Sequence, residues 1–200
     1  MKLKLPWLVT LLMAFTSCFS QEERDITNLT KITFLNPGIS REVRVAKLQS
    51  IYLQAFMNTS AYFSYSSSLG TDGGVYFDPA ATAQYRYYYN AKKRAERGKR
   101  TEMNSLNYIT GLVETIFTTA AISDGDLNED KRRPVTKIGA AWGIQRNGSK
   151  RFGLDLNLGL GYVFAKGTQY DISGLNKSSP VSQFTILGQL NLGFWLGKGN

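Results

Sequence analysis

Thirteen consecutive residues, from Phe152 to Phe164, alternate in character without a slip. Phe152, Leu154, Leu156, Leu158, Leu160, Tyr162 and Phe164 fall on one side, and Gly153, Asp155, Asn157, Gly159, Gly161 and Val163 on the other. Successive side chains of a β-strand point to opposite faces, so the segment reads as one strand with an apolar face and a face of small and polar residues. Strands of soluble sandwiches usually run about five or six residues. Thirteen is the length a tilted strand needs to cross a bilayer and protrude. The last segment repeats the pattern: Phe184, Ile186, Leu190, Leu192, Phe194 and Leu196 share a face with Gly188, opposite Thr185, Gln189, Asn191 and Gly193.

Earlier segments follow the same period more loosely. Between Ser50 and Tyr65, Ile51, Leu53, Ala55, Met57 and Phe63 oppose Gln54, Asn58, Ser60 and Ser64. Between Val75 and Asn90, Val75, Phe77, Ala81, Ala83, Tyr85, Tyr87 and Tyr89 oppose Asp78, Thr82, Gln84 and Arg86, with tyrosines crowding one end as an interfacial girdle does. Leu106 to Thr119, Thr136 to Gln145 and Lys31 to Val45 complete seven strands. A closed single-chain barrel takes an even number, and the eighth must come from Gln21 to Thr30 or from a split near Asn36-Pro37-Gly38. The expected fold is therefore all-β: a single antiparallel up-and-down transmembrane β-barrel of eight strands. Counting back from the C-terminus puts the segments Lys166 to Val181, Ala121 to Pro134 and Ser66 to Gly74 at one end as long loops. Short turns at Arg146 to Lys150 and Ala46 to Gln49, together with the basic segment Ala91 to Arg100, fall at the other.

The first twenty residues read as an export leader rather than structure. Lys2 and Lys4 make a positive start, Leu5 to Thr16 an apolar run, and Cys18-Phe19-Ser20 a small-residue cleavage site, leaving a barrel domain over residues 21–200. The apolar run is shorter than a spanning helix needs. In a competing reading Cys18 is the acylated residue of a lipoprotein signal. Cys18 is also the only cysteine, so the exported chain has no thiol chemistry. The slightly negative mean hydropathy does not argue against lipid, because alternating strands average out.

Three stretches carry a resemblance: Phe34-Leu35-Asn36-Pro37-Gly38-Ile39-Ser40, Gln84-Tyr85-Arg86-Tyr87-Tyr88-Tyr89-Asn90 with its Lys/Arg-rich turn, and Asn104-Ser105-Leu106-Asn107-Tyr108. They resemble small outer-membrane β-barrel (porin-family) proteins of Bacteroidota, Gram-negative bacteria. The resemblance covers most of the chain after the leader and implies fold and outer-membrane location, without a reaction or catalytic residues.

Candidate sites follow from the alternation. Glu42, Arg44, Asp78, Arg86 and Asp155 fall on the lumen side among Asn36, Gln54, Asn58, Gln84, Asn157, Gln189 and Asn191. An eight-stranded barrel is just wide enough for side chains to fill, so these charges are expected to pair across the lumen as a polar core. The rival is an acid–base pair of Glu42 and Asp155 for hydrolysis. The formal charge of +9 falls to +7 without the leader, and six cations, Lys92, Lys93, Arg94, Arg97, Lys99 and Arg100, crowd into nine residues. That concentration favours anionic lipid, lipopolysaccharide included, or an acidic periplasmic or extracellular partner over nucleic acid. Asp124, Asp126 and Asn128 echo a calcium loop, but its sixth and twelfth positions are occupied by Glu129 and Val135, and no metal or other cofactor is expected. The chain contains no histidine, which removes Ser-His and Cys-His nucleophiles and histidine-based zinc sites together. The expectation is a non-enzymatic outer-membrane barrel with a structural or interaction role. The alternatives are a narrow pore for small solutes and a soluble lipocalin-like binder, whose Leu-rich faces would point inward.

Overall fold

The computed structural model describes residues 25–66, 70–120, 130–170 and 176–197. Eight antiparallel strands close into a barrel in sequence order: β1 (Leu29–Thr33), β2 (Gly38–Ala46), β3 (Gln49–Ser66), β4 (Gly70–Tyr88), β5 (Asn107–Thr118), β6 (Arg133–Asn147), β7 (Phe152–Tyr170) and β8 (Asn176–Leu196). β1 pairs with both β2 and β8, so no strand is left with both edges unclosed. The segment expected as one strand over Lys31 to Val45 is two. A four-residue turn at Phe34, Leu35, Asn36 and Pro37 divides it, because Pro37 cannot donate to a ladder and Gly38 approaches Phe56 too closely to carry a Cβ. Of the two sources for the eighth strand, the split is the one found.

Followed through successive partners from Lys31, the ladder passes Ser40, Gln54, Thr82, Glu114, Lys137, Val163 and Gln183. It meets the extended line of β1 twelve residues further on. Stagger and tilt are linked in a closed barrel, and this stagger puts eight strands at a steep tilt, roughly 45°. The wall is uneven in height. β2 stops pairing with β3 at Gly38 opposite Phe56, and β1 with β8 at Thr33 opposite Gly193, while β3 runs on to Ser66 and β8 starts back at Asn176. The β3–β4 and β7–β8 hairpins thus rise well above the β1–β2 hairpin. Loops expected over 66–74 and 166–181 are largely taken up by these strands.

Opposite the β1–β2 turn, both described chain ends lie at one end of the barrel. That end carries the β2–β3 turn, the β6–β7 turn, and the β4–β5 connection with its helix α1 (Ala91–Glu96) and a 3₁₀ turn at Glu102–Asn104. The basic segment is therefore a short helix followed by a coil rather than an extended turn.

Outward positions are apolar from one end of the wall to the other. Among the described residues thirty large hydrophobic side chains are exposed, including Ile39, Leu53, Phe77, Val113, Ile138, Leu158 and Ile186, the last two at 62% and 71%. The Leu-rich face of β7 is on this outer side. Aromatic residues gather near both ends: Tyr85, Tyr87, Tyr89, Trp142 and Phe152 toward the chain-end side, and Phe117, Tyr162, Phe164 and Phe184 toward the other. Arg41, which donates to the Thr30 hydroxyl at 2.6 Å, interrupts the outer face partway along β2.

Inward positions are layered. Nearest the chain ends, Ile26, Tyr88, Ala91, Leu106 and Tyr108 pack with Leu48 into an apolar floor. Polar and charged side chains come next, and above them Phe56, Ala80, Leu112, Ile116, Ala141 and Leu187 form two small apolar clusters. Small residues set how closely the wall can close. A Cβ at Gly159 would run into the Ala140 carbonyl oxygen and Ala141, whereas at Gly111 it would meet nothing within 4 Å. Gly159→Val is therefore expected to lower stability by about 1–3 kcal/mol through overpacking, and Gly111→Val to leave it nearly unchanged. Urea midpoints of the folded barrel check this; equal midpoints for the two variants would contradict it.

Candidate functional site

The polar layer of the lumen is organised around Arg86, which projects inward from β4 and is fully buried. Its guanidinium lies between two rings, 3.7 Å from the centroid of Tyr52 on β3 and 4.3 Å from that of Tyr108 on β5. Nη1 donates to Asp155 Oδ2 on β7 at 2.7 Å and to Gln145 Oε1 on β6 at 2.8 Å, and Nε donates to Gln84 at 2.9 Å. One side chain therefore engages groups from five strands. A planar cation suits this place, because it stacks on aromatic faces while its edge donates in fixed directions.

Both lumen carboxylates are held by several donors. Asp155 Oδ1 accepts from the Tyr108 hydroxyl at 2.6 Å, its other oxygen being taken by Arg86. Glu42 on β2 accepts from Ser50 and Tyr88 through Oε1, at 2.6 and 2.5 Å, and from Gln145 through Oε2 at 3.2 Å. Gln145 thus links the two carboxylate centres, donating to Glu42 while accepting from Arg86. Tyr88 and Tyr108 meet edge to face at 5.6 Å. A second polar chain crosses the lumen beside the first. Gln54 on β3 exchanges hydrogen bonds with Asn191 and accepts from Gln189 on β8, and Gln84 donates to Gln189.

Lys31 on β1 also points into this layer and is only 4% exposed. Its ammonium makes no hydrogen bond among the described residues, and it lies within electrostatic reach of Asp155, Glu42 and Arg86. With Lys31 and Arg86 against Glu42 and Asp155, the layer is balanced in formal charge. Buried ions persist only when they are paired and hydrogen-bonded, and this balance meets the first condition.

Of the five expected lumen charges, Glu42, Arg86 and Asp155 come together. Asp78 is buried on the inward side as expected but lies toward the opposite end, paired with Arg132 at 3.6 Å. Another pair, Glu114 with Lys137 at 3.1 Å, lies on that upper part of the wall. Arg44 is a correction. It is half exposed at the end of β2, next to a register shift between Arg44 and Ala46, and pairs with Asp25 Oδ2 at 2.5 Å. Asp25 Oδ1 meanwhile accepts from the Leu48 and Ile26 amides, so Arg44 fastens the segment before β1 across the barrel floor. Asn104 fastens the same segment, exchanging two hydrogen bonds with the Thr27 backbone at 2.8 and 2.9 Å. Its own backbone is left-handed, with φ of 57°, a conformation asparagine tolerates better than most residues.

Lys31, Tyr52, Tyr88, Tyr108 and Gln145 were not expected in the network. Lys31 eluded sequence reading because a single strand over Lys31 to Val45 with Glu42 inward places Lys31 outward. The turn at 34–37 reverses that parity. The tyrosines carried a usable signal, since each shares its face with Gln54, Arg86 or Thr110.

Chemically, the layer is a cross-brace. Every oxygen of Glu42 and Asp155 already accepts a hydrogen bond, and the two carboxylates are separated by the Gln145 amide rather than facing a common space. The six cations of the β4–β5 connection stand apart from it at the floor end, with Lys92, Lys93, Arg97, Lys99 and Arg100 exposed and Arg94 half-buried. Among the described residues no cluster of three or more His, Cys, Asp or Glu could hold a metal. The acidic run Asp124 to Glu129, the leader expected at residues 1–20 and Cys18 all lie outside the described residues.

Removing Arg86 alone leaves Asp155 as a buried, uncompensated charge, and Arg86→Met is expected to cost about 3–5 kcal/mol. Replacing both partners, Arg86→Met with Asp155→Leu, is expected to recover most of that loss. A double-mutant cycle on urea midpoints measures the coupling; a double variant as unstable as the sum of the two single variants would contradict the brace. No known protein family matches the chain, and neither do any curated protein or solved structure.

Proposed function

We propose that this chain is exported and resides in an outer membrane as a small β-barrel whose filled lumen serves a structural or interaction role rather than passage of solutes. The observation that carries the reading is the extensive apolar outer face. At about half of a large side chain's area each, thirty exposed hydrophobics amount to on the order of 2,500 Å². The largest apolar patch on a typical soluble monomer is roughly 300–600 Å². At about 25 cal/mol per Å², keeping that surface in water would forgo on the order of 60 kcal/mol, several times the net stability of a domain. Lipid removes this cost.

Dimensions agree. The outward apolar residues of β7 run from Phe152 to Phe164, which is about 40 Å along the strand and, at a tilt of roughly 45°, about 28 Å along the barrel axis. That is close to the roughly 30 Å hydrocarbon core of a bilayer. Aromatic side chains near both ends of this band suit the two interfaces. No helix among the described residues is long and apolar enough to cross a membrane, so the crossing in this reading is made by strands alone. A lipocalin-like binder would need the opposite arrangement, with the leucines of β7 lining the interior. Against a pore stand the apolar floor under Tyr88 and Leu106 and the brace around Arg86, both of which span the lumen. The leader-like first twenty residues and the resemblance to small Bacteroidota barrels support the outer membrane in particular.

Fractionation of expressing cells, followed by gel mobility with and without boiling in detergent, tests the location and the closed barrel together. Recovery in the outer membrane with heat-modifiable migration is expected, as is the absence of channel steps in a planar bilayer. A soluble periplasmic protein of ordinary migration would overturn the membrane reading, and steady unit conductance would overturn the filled lumen.

A further inference from the structure

On the outer wall, where β4, β5, β6 and β7 adjoin, Gly111 and Ala140 interrupt the belt of large side chains and leave a groove of about 720 Å³. Tyr85 and Leu160 flank this floor, and Tyr87, Ile109 and Trp142 border it on the side nearer the chain ends. Nothing lies within 4 Å of the position a Gly111 Cβ would take, so the space is open outward rather than filled from within.

On the side nearer the chain ends the lining residue Tyr87 lies near the end of β4, just before the basic connection between β4 and β5. Trp142 Nε1 donates to the Tyr89 hydroxyl at 2.6 Å, reaching across β5 from β6 to the last residue before the connection. Arg146, on the outward side of β6 four residues beyond Trp142, donates to Asn107 Oδ1 at 2.6 Å and to the Leu106 carbonyl at 2.9 Å. Arg94 of α1 is tied to the same place: the Asn107 amide donates to Asn90 Oδ1 at 2.8 Å, and the Asn90 carbonyl oxygen accepts from the Arg94 amide at 3.0 Å. The Arg94 side chain bonds to the Arg100 carbonyl oxygen rather than to a carboxylate. Over residues 91–102 six cations face two carboxylates, and one of these, Glu102, already pairs with Arg100 at 3.2 Å. Two guanidinium groups in proximity repel unless an anion joins them, and they stand at the foot of an apolar channel of acyl-chain character.

Resting on the outer-membrane reading above, we propose that this surface is a binding site for one anionic phospholipid of the leaflet at the chain-end side. The phosphate sits between Arg94 and Arg146, with Arg97 and the neighbouring lysines adding attraction. One acyl chain runs past Tyr87 and Trp142 over Ile109 into the groove above Gly111. The two halves of the site select for different parts of one molecule, which a bulk basic turn or a bare apolar dent does not do alone. Each juxtamembrane cation contributes on the order of 1 kcal/mol toward an anionic surface, so loss of two lowers preference by roughly ten-fold or more.

The test reconstitutes the full protein in phosphatidylcholine vesicles containing a minor fraction of phosphatidylglycerol. Lipids retained after gentle detergent release are counted by native mass spectrometry. Retained phosphatidylglycerol is expected to exceed its vesicle proportion about ten-fold. Arg94→Gln with Arg97→Gln should remove that preference, and Gly111→Leu, whose Cβ meets nothing within 4 Å and whose side chain fills the groove, should remove retention of either lipid while heat-modifiable mobility stays as in the parent. Retention in the vesicle proportion, or a Gly111→Leu protein that retains phosphatidylglycerol as the parent does, would overturn the site while leaving the barrel in the membrane. A protein that never enters the vesicles would overturn the membrane reading and this site with it.

Discussion

The contact on which the rest of the barrel depends is the one Arg86 makes with Asp155, clasped between the rings of Tyr52 and Tyr108. Neighbouring strands of a barrel are held by their ladder, but opposite walls are held only by what fills the lumen. Here that filling is a cation with neighbours on both sides and two carboxylates whose four oxygens each accept a hydrogen bond. Because a half-satisfied polar layer is worse than an apolar one, each member constrains the others. Tyr108 cannot turn away from Asp155 without leaving an oxygen bare, and Gln145 cannot leave Glu42 without also leaving Arg86. The floor of Ile26, Tyr88 and Leu106, fastened by Arg44 to Asp25 and by Asn104 to Thr27, closes the lumen just beneath this brace.

How far the sequence disclosed this follows from where a face had to satisfy lipid-like and lumen-like demands at once. On β7 from Phe152 to Phe164 and on β8 from Phe184 to Leu196 both demands hold, so period two persists there and Asp155, Asn157 and Asn191 were legible as inward. Arg86 and Glu42 were legible for the same reason. The upper parts of β3 and β4 extend past the last partners offered by β2 and β5, at Phe56 and Ala80, and their sequence there is rich in Ser, Gly and Thr without an unbroken apolar alternation. Ser66 to Gly74 consequently reads as a loop although most of it is strand. Arg44 keeps the inward parity of Glu42, but its position at the register shift releases it to the barrel rim. Lys31 shows the converse: one turn of four residues between β1 and β2 reverses parity, and a buried lysine is read as a surface one.

The same division of faces gives the outside its meaning. Large apolar residues cover much of the wall, Gly111 and Ala140 leave it low, and the dent there lies on the β4–β6 side of the barrel from which Arg146 and the α1 connection extend. The basic connection is thus more than a solvated turn in this account: its place at the end of an apolar channel is fixed by the β4–β5 register, which sets Tyr85 against Gly111 and Tyr87 against Ile109.

The central claim is that this barrel turns its leucines to lipid and its charges to a closed lumen. Single cysteines along β7, introduced into a chain carrying Cys18→Ser and labelled with a fluorophore, test it against a quencher confined to the bilayer core. Labels at Leu156, Leu158 and Leu160 are predicted to be quenched strongly, and labels at Asn157 and Val163 weakly. Uniform weak quenching at all five positions, or strong quenching at the odd-numbered ones, would contradict it.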